Sequence, residues 1–471
     1  MPKIAMSTRP KPSINGPRVY GSTPGKPFLF LIPATGEAPL SYAAQNLPEE
    51  LKLDSRTGII SGSLTKAGDS VVILTVSNVR GKATHELKIV VGTHKLALTP
   101  PMGWNSWNVW ATAVSADKVK AAADAMVTSG LAAHGYQYIC IDDTWEARER
   151  GPDGQIMGNE KFGDMKALAD YVHSKGLKIG IYSSPGPRTC AGYPGSYQHE
   201  LQDAQTWADW GMDYVKYDWC DYQRIFAATG RTDEDRKAPY ATMIKALDSI
   251  GRDMPLCIGY SGGKPYNWGE SAGGSLWRTS GDIFDTWSSL SQISLQQAGL
   301  AKFAGPSHWN DPDMLIVGKV GWGPNIHPTR LNPNEQILHI TLWSLLAAPL
   351  LIGCDMSDMD SFTKRLLMND EVLDVDQDPL GKQGDRIDVQ GGGQVWARPL
   401  SDGTIAVGLL NFGNQKVKVT ADFAKLGVAG KQPVRDLWRQ KNLGRFSGLF
   451  SAEIPVHGAV MVKIGTPKPE K

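Results

Sequence analysis

The stretch Asp213-Tyr-Val-Lys-Tyr-Asp-Trp-Cys220 places a base and an acid at the end of an apolar run. Tyr214, Val215 and Tyr217 read as a strand buried on both faces, the kind a parallel sheet uses. Lys216 and Asp218 interrupt it, and alternation puts both on one face, which in a barrel points inward. A buried Lys two residues from an Asp would keep that carboxylate ionised with a depressed pKa. That is the state a carboxylate nucleophile needs. A structural ion pair at a strand end uses the same two residues, so the octapeptide alone leaves both readings open.

The elements around it supply a frame. Strands are predicted at Met102 to Asn105, Tyr138 to Ile141, Lys178 to Tyr182, the opening stretch, Leu256 to Tyr260, near Trp277, before Asp311, and at Pro349 to Ile352. Helical patterns lie between most of them. The first opens at Ser115, a good N-cap, carries the stripe Val119, Ala122, Ala123, Met126 and Val127, and stops at Ser129-Gly130. Strands recurring every roughly 20 to 40 residues fit a (β/α)8 barrel, whose chemistry sits at the C-terminal ends of the strands.

Reading those ends gives Trp107 after the first strand, Asp142-Asp143 after the second and Tyr182 at the third. Lys216 and Asp218 close the fourth, Arg278 and Asp282 follow the sixth, and Asp311, Asp313 and Met314 follow the seventh. Many carboxylates with few His argue against zinc. A Mg or Ca site built from Asp142, Asp143 and Asp311 is the main competing reading. Glycoside hydrolysis asks for two carboxyls, one ionised and one protonated. Asp218 suits the first role. Asp282 suits the second, because the adjacent Ile283-Phe284 should raise its pKa. Arg278, four residues earlier, either holds a sugar hydroxyl or the nucleophile, or forms a local salt bridge with Asp282.

At 471 residues the chain is too long for one ordinary domain. Its 41% hydrophobic and 21% charged residues describe a soluble globular protein, and net charge +1 gives no reason to expect nucleic acid as a partner. No apolar run reaches the roughly 18 residues of a membrane span. No leader is legible after Met1-Pro2-Lys3. Five Cys leave at least one unpaired within the chain. Cys140, Cys257 and Cys354 lie in or beside apolar runs and read as small buried hydrophobes, whereas Cys190 and Cys220 lie in loop-like contexts. Residues 1–15 read as loose. Residues 16–95 carry short strands with frequent turns, a small β-sandwich. The catalytic barrel takes 96–385. From 386 to 471 the pattern is antiparallel β again, with a hairpin signal at Ser401-Asp402-Gly403.

The segments "PPMGWNSWN", "YICIDDTWEA", "YVHSKGLKIGIYSSPGPRTCAGYPGS", "DAQTWADWGMDYVKYDWC", "LWRTSGDI", "WNDPDML" and "QDPLGKQG" occur in this order. From about Leu96 to Ile464 the chain resembles glycoside hydrolase family 27, the α-galactosidases and α-N-acetylgalactosaminidases. "LPEELKLDSRTGIISGSL" resembles the immunoglobulin-like modules of bacterial surface and secreted enzymes, and is read as a spacer. The family resemblance implies a (β/α)8 barrel with an N-terminal immunoglobulin-like β-sandwich and a C-terminal antiparallel β-sandwich. It implies Asp218 as nucleophile and Asp282 as acid/base. It also implies Asp142 and Asp143 on the sugar's 4- and 6-hydroxyls, Trp107 stacking in the pocket, and Tyr182, Lys216, Arg278 and Asp313 around the substrate. Cys190 and Cys220 would form a disulfide beside the sugar, which implies an extracytoplasmic location with any leader removed. No metal and no cofactor are implied. Retention of configuration follows, with the two carboxyls about 5–5.5 Å apart.

One departure bears on specificity. Many relatives carry "C-[EQ]-[WY]" after the fifth strand, where this chain reads Cys257-Ile-Gly-Tyr-Ser-Gly-Gly-Lys264. Small residues there would leave room for a 2-acetamido group, whereas a loop that brings in Tyr260 would serve galactose. Thr144 stands where some relatives have a Cys, so a second disulfide is not expected. The expected activity is therefore a retaining exo-α-galactosidase acting on oligosaccharides or glycans. An α-N-acetylgalactosaminidase and a catalytically inactive galactoside-binding protein are the alternatives.

Overall fold

Strict alternation of inward and outward side chains organises the middle of the chain. The computed structural model describes residues 2–6 and 9–468. Its barrel strands are β1 (Met102–Asn105), β2 (Tyr138–Cys140), β3 (Lys178–Ser183), β4 (Tyr214–Tyr217), β5 (Leu256–Ile258), β6 (Leu276–Arg278), β7 (Trp309–Asp311) and β8 (Leu350–Ile352). They form one 8-stranded parallel sheet, ordered β7-β6-β5-β4-β3-β2-β1-β8. A parallel bridge between Leu315, just past β7, and Ile352 of β8 closes the ring.

Helices α1 (Ala116–Thr128), α2 (Met165–His173), α3 (Glu200–Trp210), α4 (Asp233–Ser249), α5 (Trp287–Gln296) and α6 (Pro333–Leu345) cross between strands. The Ser115 hydroxyl caps α1 by accepting from the Lys118 amide. Val119, Ala122, Ala123 and Met126 of its stripe are buried, but Val127 is 43% exposed, so the apolar face is narrower than the sequence implied. Helix α6 is buried on every side from Glu335 to Leu345. It is held between the barrel and the C-terminal sheet, where Trp438 Nε1 donates to Thr341 Oγ1 at 2.8 Å and the buried Arg398 donates to the Ser344 carbonyl at 2.8 Å. Burial on all sides follows from that enclosed position, although Glu335, Gln336, His339, Thr341 and Ser344 keep the helix from being apolar throughout.

Inside the barrel, Tyr138, Cys140, Tyr214, Cys257, Leu276 and Trp309 pack as one apolar plug. Gly180 completes it because nothing larger fits: a Cβ there would lie 2.7 Å from Cys140 Sγ. Two or four residues along the same faces come Asp142, Tyr182, Lys216 and Asp218, Gly259, Arg278, Asp311 and Asp313. The same periodicity that fills the bottom of the barrel thus delivers polar groups to its top.

The N-terminal unit has a sheet of Val19–Ser22, Gly81–Val91, Gly68–Asn78 and Ser41–Gln45 facing one of Pro27–Leu31, Ile59–Ser63 and Leu51–Leu53. Its core includes Phe28, Phe30, Val72, Leu74 and Ile89. At the C-terminus a 6-stranded antiparallel sheet and a 2-stranded one enclose a further core, with Ser401-Asp402-Gly403 turning between Gly393–Pro399 and Ile405–Asn411. The expectation of a loose segment over 1–15 needs correction for the described residues. Ile4 is 7% exposed within the barrel's core cluster, and the Ala5 amide donates to the Trp438 carbonyl at 2.8 Å. Asn15 donates to the Ala133 carbonyl at 2.8 Å. Met1, Ser7 and Thr8 lie outside the described residues.

Candidate active site

At the mouth, Lys216 Nζ donates to Asp142 Oδ2 at 2.7 Å, and Asn105 Nδ2 donates to the same oxygen at 2.9 Å. Burial pushes the Lys216 ammonium down, but Asp142 and then Asp218 more than reverse it, so it holds its proton firmly. The direct partner of Lys216 is therefore Asp142, not Asp218, and this corrects the reading of the octapeptide. Asp218 Oδ1 accepts from the Trp219 amide at 2.9 Å, and its Oδ2 accepts from the Tyr182 hydroxyl at 3.1 Å. Burial raises the Asp218 pKa, and the Lys216 charge and the Trp219 amide only partly offset it. The net shift is upward, against the expected depression, because burial outweighs the Lys216 charge, whose short bond goes to Asp142 beyond the end of β2.

Asp143 accepts from Thr189 Oγ1 and from the Ala191 amide, both at 2.8 Å. Burial outweighs these bonds and pushes it up to about 6. Tyr182 lies with its ring 5.4 Å from Lys216 Nζ and its hydroxyl 3.1 Å from Cys190 Sγ. Cys190 and Cys220 form a disulfide with their Cα atoms 5.0 Å apart, tying the loop after β3 to the loop after β4. Cys140, Cys257 and Cys354 are buried free thiols, as expected.

On the other side, the guanidinium of Arg278 is 3.2 Å from Asp282 Oδ1 and 3.1 Å from Asp313 Oδ2. Asp313 Oδ2 also accepts from the Ile283 amide at 2.8 Å, which fixes the backbone beside Asp282. The local salt bridge foreseen for Arg278 and Asp282 is thus present, and Arg278 also bridges to Asp313 in the loop after β7. Asp282 does not sit in apolar surroundings: its side chain is 69% exposed. Burial alone would raise its pKa, but Arg278 and Lys216 lower it overall. This reverses the raised value expected from Ile283-Phe284. Ile283 turns into the core while Asp282 turns into the open mouth.

Trp107 opens the short helix Trp107–Trp110, its amide donating to Asn105 Oδ1 at 2.8 Å, and Met314 is buried. Tyr260 stacks on Trp219 with centroids 4.6 Å apart and planes 16° apart, so it forms wall behind the Asp218 loop. The Mg or Ca reading fares poorly. Asp142 is held by Lys216, Asp143 by Thr189 and Ala191, and Asp311 lies beside Cys257. Among the described residues, the group with atoms in reach of one ion is Cys190, Asp218 and Cys220, whose sulfurs are bonded to each other.

Three site residues were not singled out from the sequence. Asn105 and Thr189 hold Asp142 and Asp143, and Glu146 lies beneath them. Burial and then Asp143 push the Glu146 carboxyl well up, and its Oε1 has no hydrogen-bond partner. Glu146 lies past the bend at Thr144, whose φ is +79°, so strand alternation offered no signal for it.

A closed parallel barrel that gathers carboxylates, a Lys, an Arg and aromatic rings at one mouth is the architecture of a sugar-cleaving glycoside hydrolase. The family description "Alpha galactosidase A" matches residues 99–378, "Alpha galactosidase C-terminal beta sandwich domain" matches 390–464, and an Ig domain description matches 11–92. The chain is 43% identical to the alpha-galactosidase of Cyamopsis tetragonoloba over 372 residues, 78% of this chain and 86% of that protein. Alpha-galactosidase I from Mortierella vinacea superposes with a TM-score of 0.74 at 34% identity, covering 80% of this chain and all of that one. A Bacteroides fragilis protein gives a TM-score of 0.91 at 36% identity over 99% of this chain. The chain belongs to the α-galactosidase family, glycoside hydrolase family 27.

Proposed function

We propose that this chain is a retaining exo-α-galactosidase that removes terminal α-linked galactose from oligosaccharides or glycans. The observation that carries the reading is that two carboxyls stand at one barrel mouth, Asp218 just past β4 and Asp282 in the loop after β6, 3.2 Å from the Arg278 guanidinium. Asp218 Oδ2 attacks the anomeric carbon while Asp282 donates its proton to the glycosidic oxygen, which departs as a hydroxyl. Asp282, now a carboxylate, takes a proton from water, and the resulting hydroxide displaces Asp218 to release α-galactose. At the open mouth the Arg278 and Lys216 charges favour the ionised form of Asp282. Substrate would exclude water from it and disfavour its charged form, raising its pKa. Asp142 and Asp143 are the groups for the 4- and 6-hydroxyls, with Trp107 as the stacking face. Tyr182, Arg278 and Asp313 complete the pocket.

The α-N-acetylgalactosaminidase reading draws on the small residues Ser261, Gly262 and Gly263. The stacked Tyr260 beside them favours galactose. Comparing an aryl α-galactoside with the aryl α-N-acetylgalactosaminide discriminates. Faster cleavage of the acetamido sugar overturns the primary assignment, and galactose binding without turnover leaves a lectin. Among the described residues no helix is long and apolar enough to cross a membrane. The disulfide supports an extracytoplasmic site of action, periplasmic, secreted or at the cell surface, checked by fractionating cells of the source organism. Residues 16–95 act as a spacer ahead of a catalytic unit spanning 96–385 and a C-terminal unit spanning 386–471.

A further inference from the structure

Phe284 is a large hydrophobic side chain left 51% exposed, two residues from Asp282. Its exposure follows from alternation: Asp282 and Phe284 point outward, while Ile283 and Asp285 are fully buried. Phe284 is not a stray surface residue. Its ring lies against Trp322, with centroids 5.7 Å apart and planes inclined by 32°. Trp322 sits at the tip of the ribbon Lys319–Val320 and His327–Pro328, with φ at +49°, a conformation a bulky aromatic rarely adopts. Backbone strain of this kind persists only where the surroundings enforce it.

Both ends of the aromatic pair are fastened to the site. The Gly321 and Trp322 amides donate to the carbonyl of Asn108, the residue after Trp107, at 3.0 Å each. Beside Phe284, the buried Asp285 accepts from Arg330 Nε at 3.0 Å and from the Arg330 amide at 2.9 Å. The ribbon is therefore clamped between the turn that carries Trp107 and the segment that carries Asp282. An apolar face held rigid beside the group that protonates a leaving oxygen faces whatever leaves with that oxygen.

We infer that Phe284 and Trp322 form an aglycone platform that stacks the sugar ring departing from galactose, selecting a hexopyranose as leaving group. The inference rests on the α-galactosidase reading. The test compares kcat/KM on melibiose, whose leaving group is glucose, with kcat/KM on α-galactosyl fluoride, whose leaving group has no ring. For Phe284→Ala the ratio of melibiose to fluoride should fall about 2- to 10-fold, the worth of one ring contact. Trp322→Ala should lower it as well, and Phe284→Trp should restore it. An unchanged ratio, or equal losses on both substrates, overturns the platform. If the wild-type protein leaves the fluoride intact, the α-galactosidase reading fails and the platform falls with it.

Discussion

Lys216→Met is the most informative single change. Methionine keeps the stem and removes the ammonium that lies 2.7 Å from Asp142. Asp142 is 2% exposed and its carboxylate would retain the Asn105 side-chain amide and the Asp143 backbone amide as donors. Stranding one partner of a buried pair costs about 3–5 kcal/mol. That is a large share of the stability of an ordinary domain. The variant also loses the charge that lowers the Asp218 pKa, which burial already holds up. The sign follows directly. A carboxyl whose folded pKa lies above its unfolded value favours folding when protonated, so the fold loses stability as pH rises through that range. The deficit of Lys216→Met should therefore be greatest near pH 7 and shrink toward pH 5. The acidic limb of its kcat/KM profile should move to higher pH. Urea unfolding at the two pH values, beside a pH–rate profile, reads both effects. A deficit under about 1 kcal/mol at pH 7, or an unmoved limb, would refute the reasoning.

Asp218→Asn and Asp282→Asn should each lose at least about a hundredfold on substrates with poor leaving groups. Asp282→Asn alone should recover on activated aryl galactosides, and equal behaviour of the two would undo the assigned roles. Replacing Cys190 and Cys220 with Ser opens a loop whose ends are 30 residues apart, and should cost about 3–4 kcal/mol in denaturant unfolding. A loss below about 1 kcal/mol would show that the loops hold each other without it. Gly259→Ala would place a Cβ 3.1 Å from Asp218 Cα and 3.4 Å from its Cγ. It should lower kcat while leaving the circular dichroism spectrum unaltered, and full activity would show that Asp218 tolerates displacement.

The barrel was legible because buried parallel strands separated by amphipathic helices leave a strong rhythm, and each predicted strand lies within two residues of an observed one. The identities at the strand ends were legible for the same reason, since alternation alone carries Tyr214 to Lys216 and Asp218. The partners were not. Lys216 bonds to Asp142, 74 residues earlier, and nothing local in the octapeptide could show that a carboxylate two strands away competes for its charge. The environment of Asp282 was misjudged because exposure at an open mouth depends on loops from several strands rather than on flanking residues. Ile4 was read as loose because the element that covers it, around Trp438, lies at the far end of the chain.

The central claim is that the Asp218 carboxylate bonds to the anomeric carbon. Incubating the protein with a slow 5-fluorinated α-galactosyl fluoride and mapping the peptides by mass spectrometry tests it directly. One hexosyl adduct on the peptide that contains Asp218, missing in Asp218→Asn, is the predicted result. An adduct on another carboxylate, or inversion at the anomeric centre with no adduct, would contradict the account.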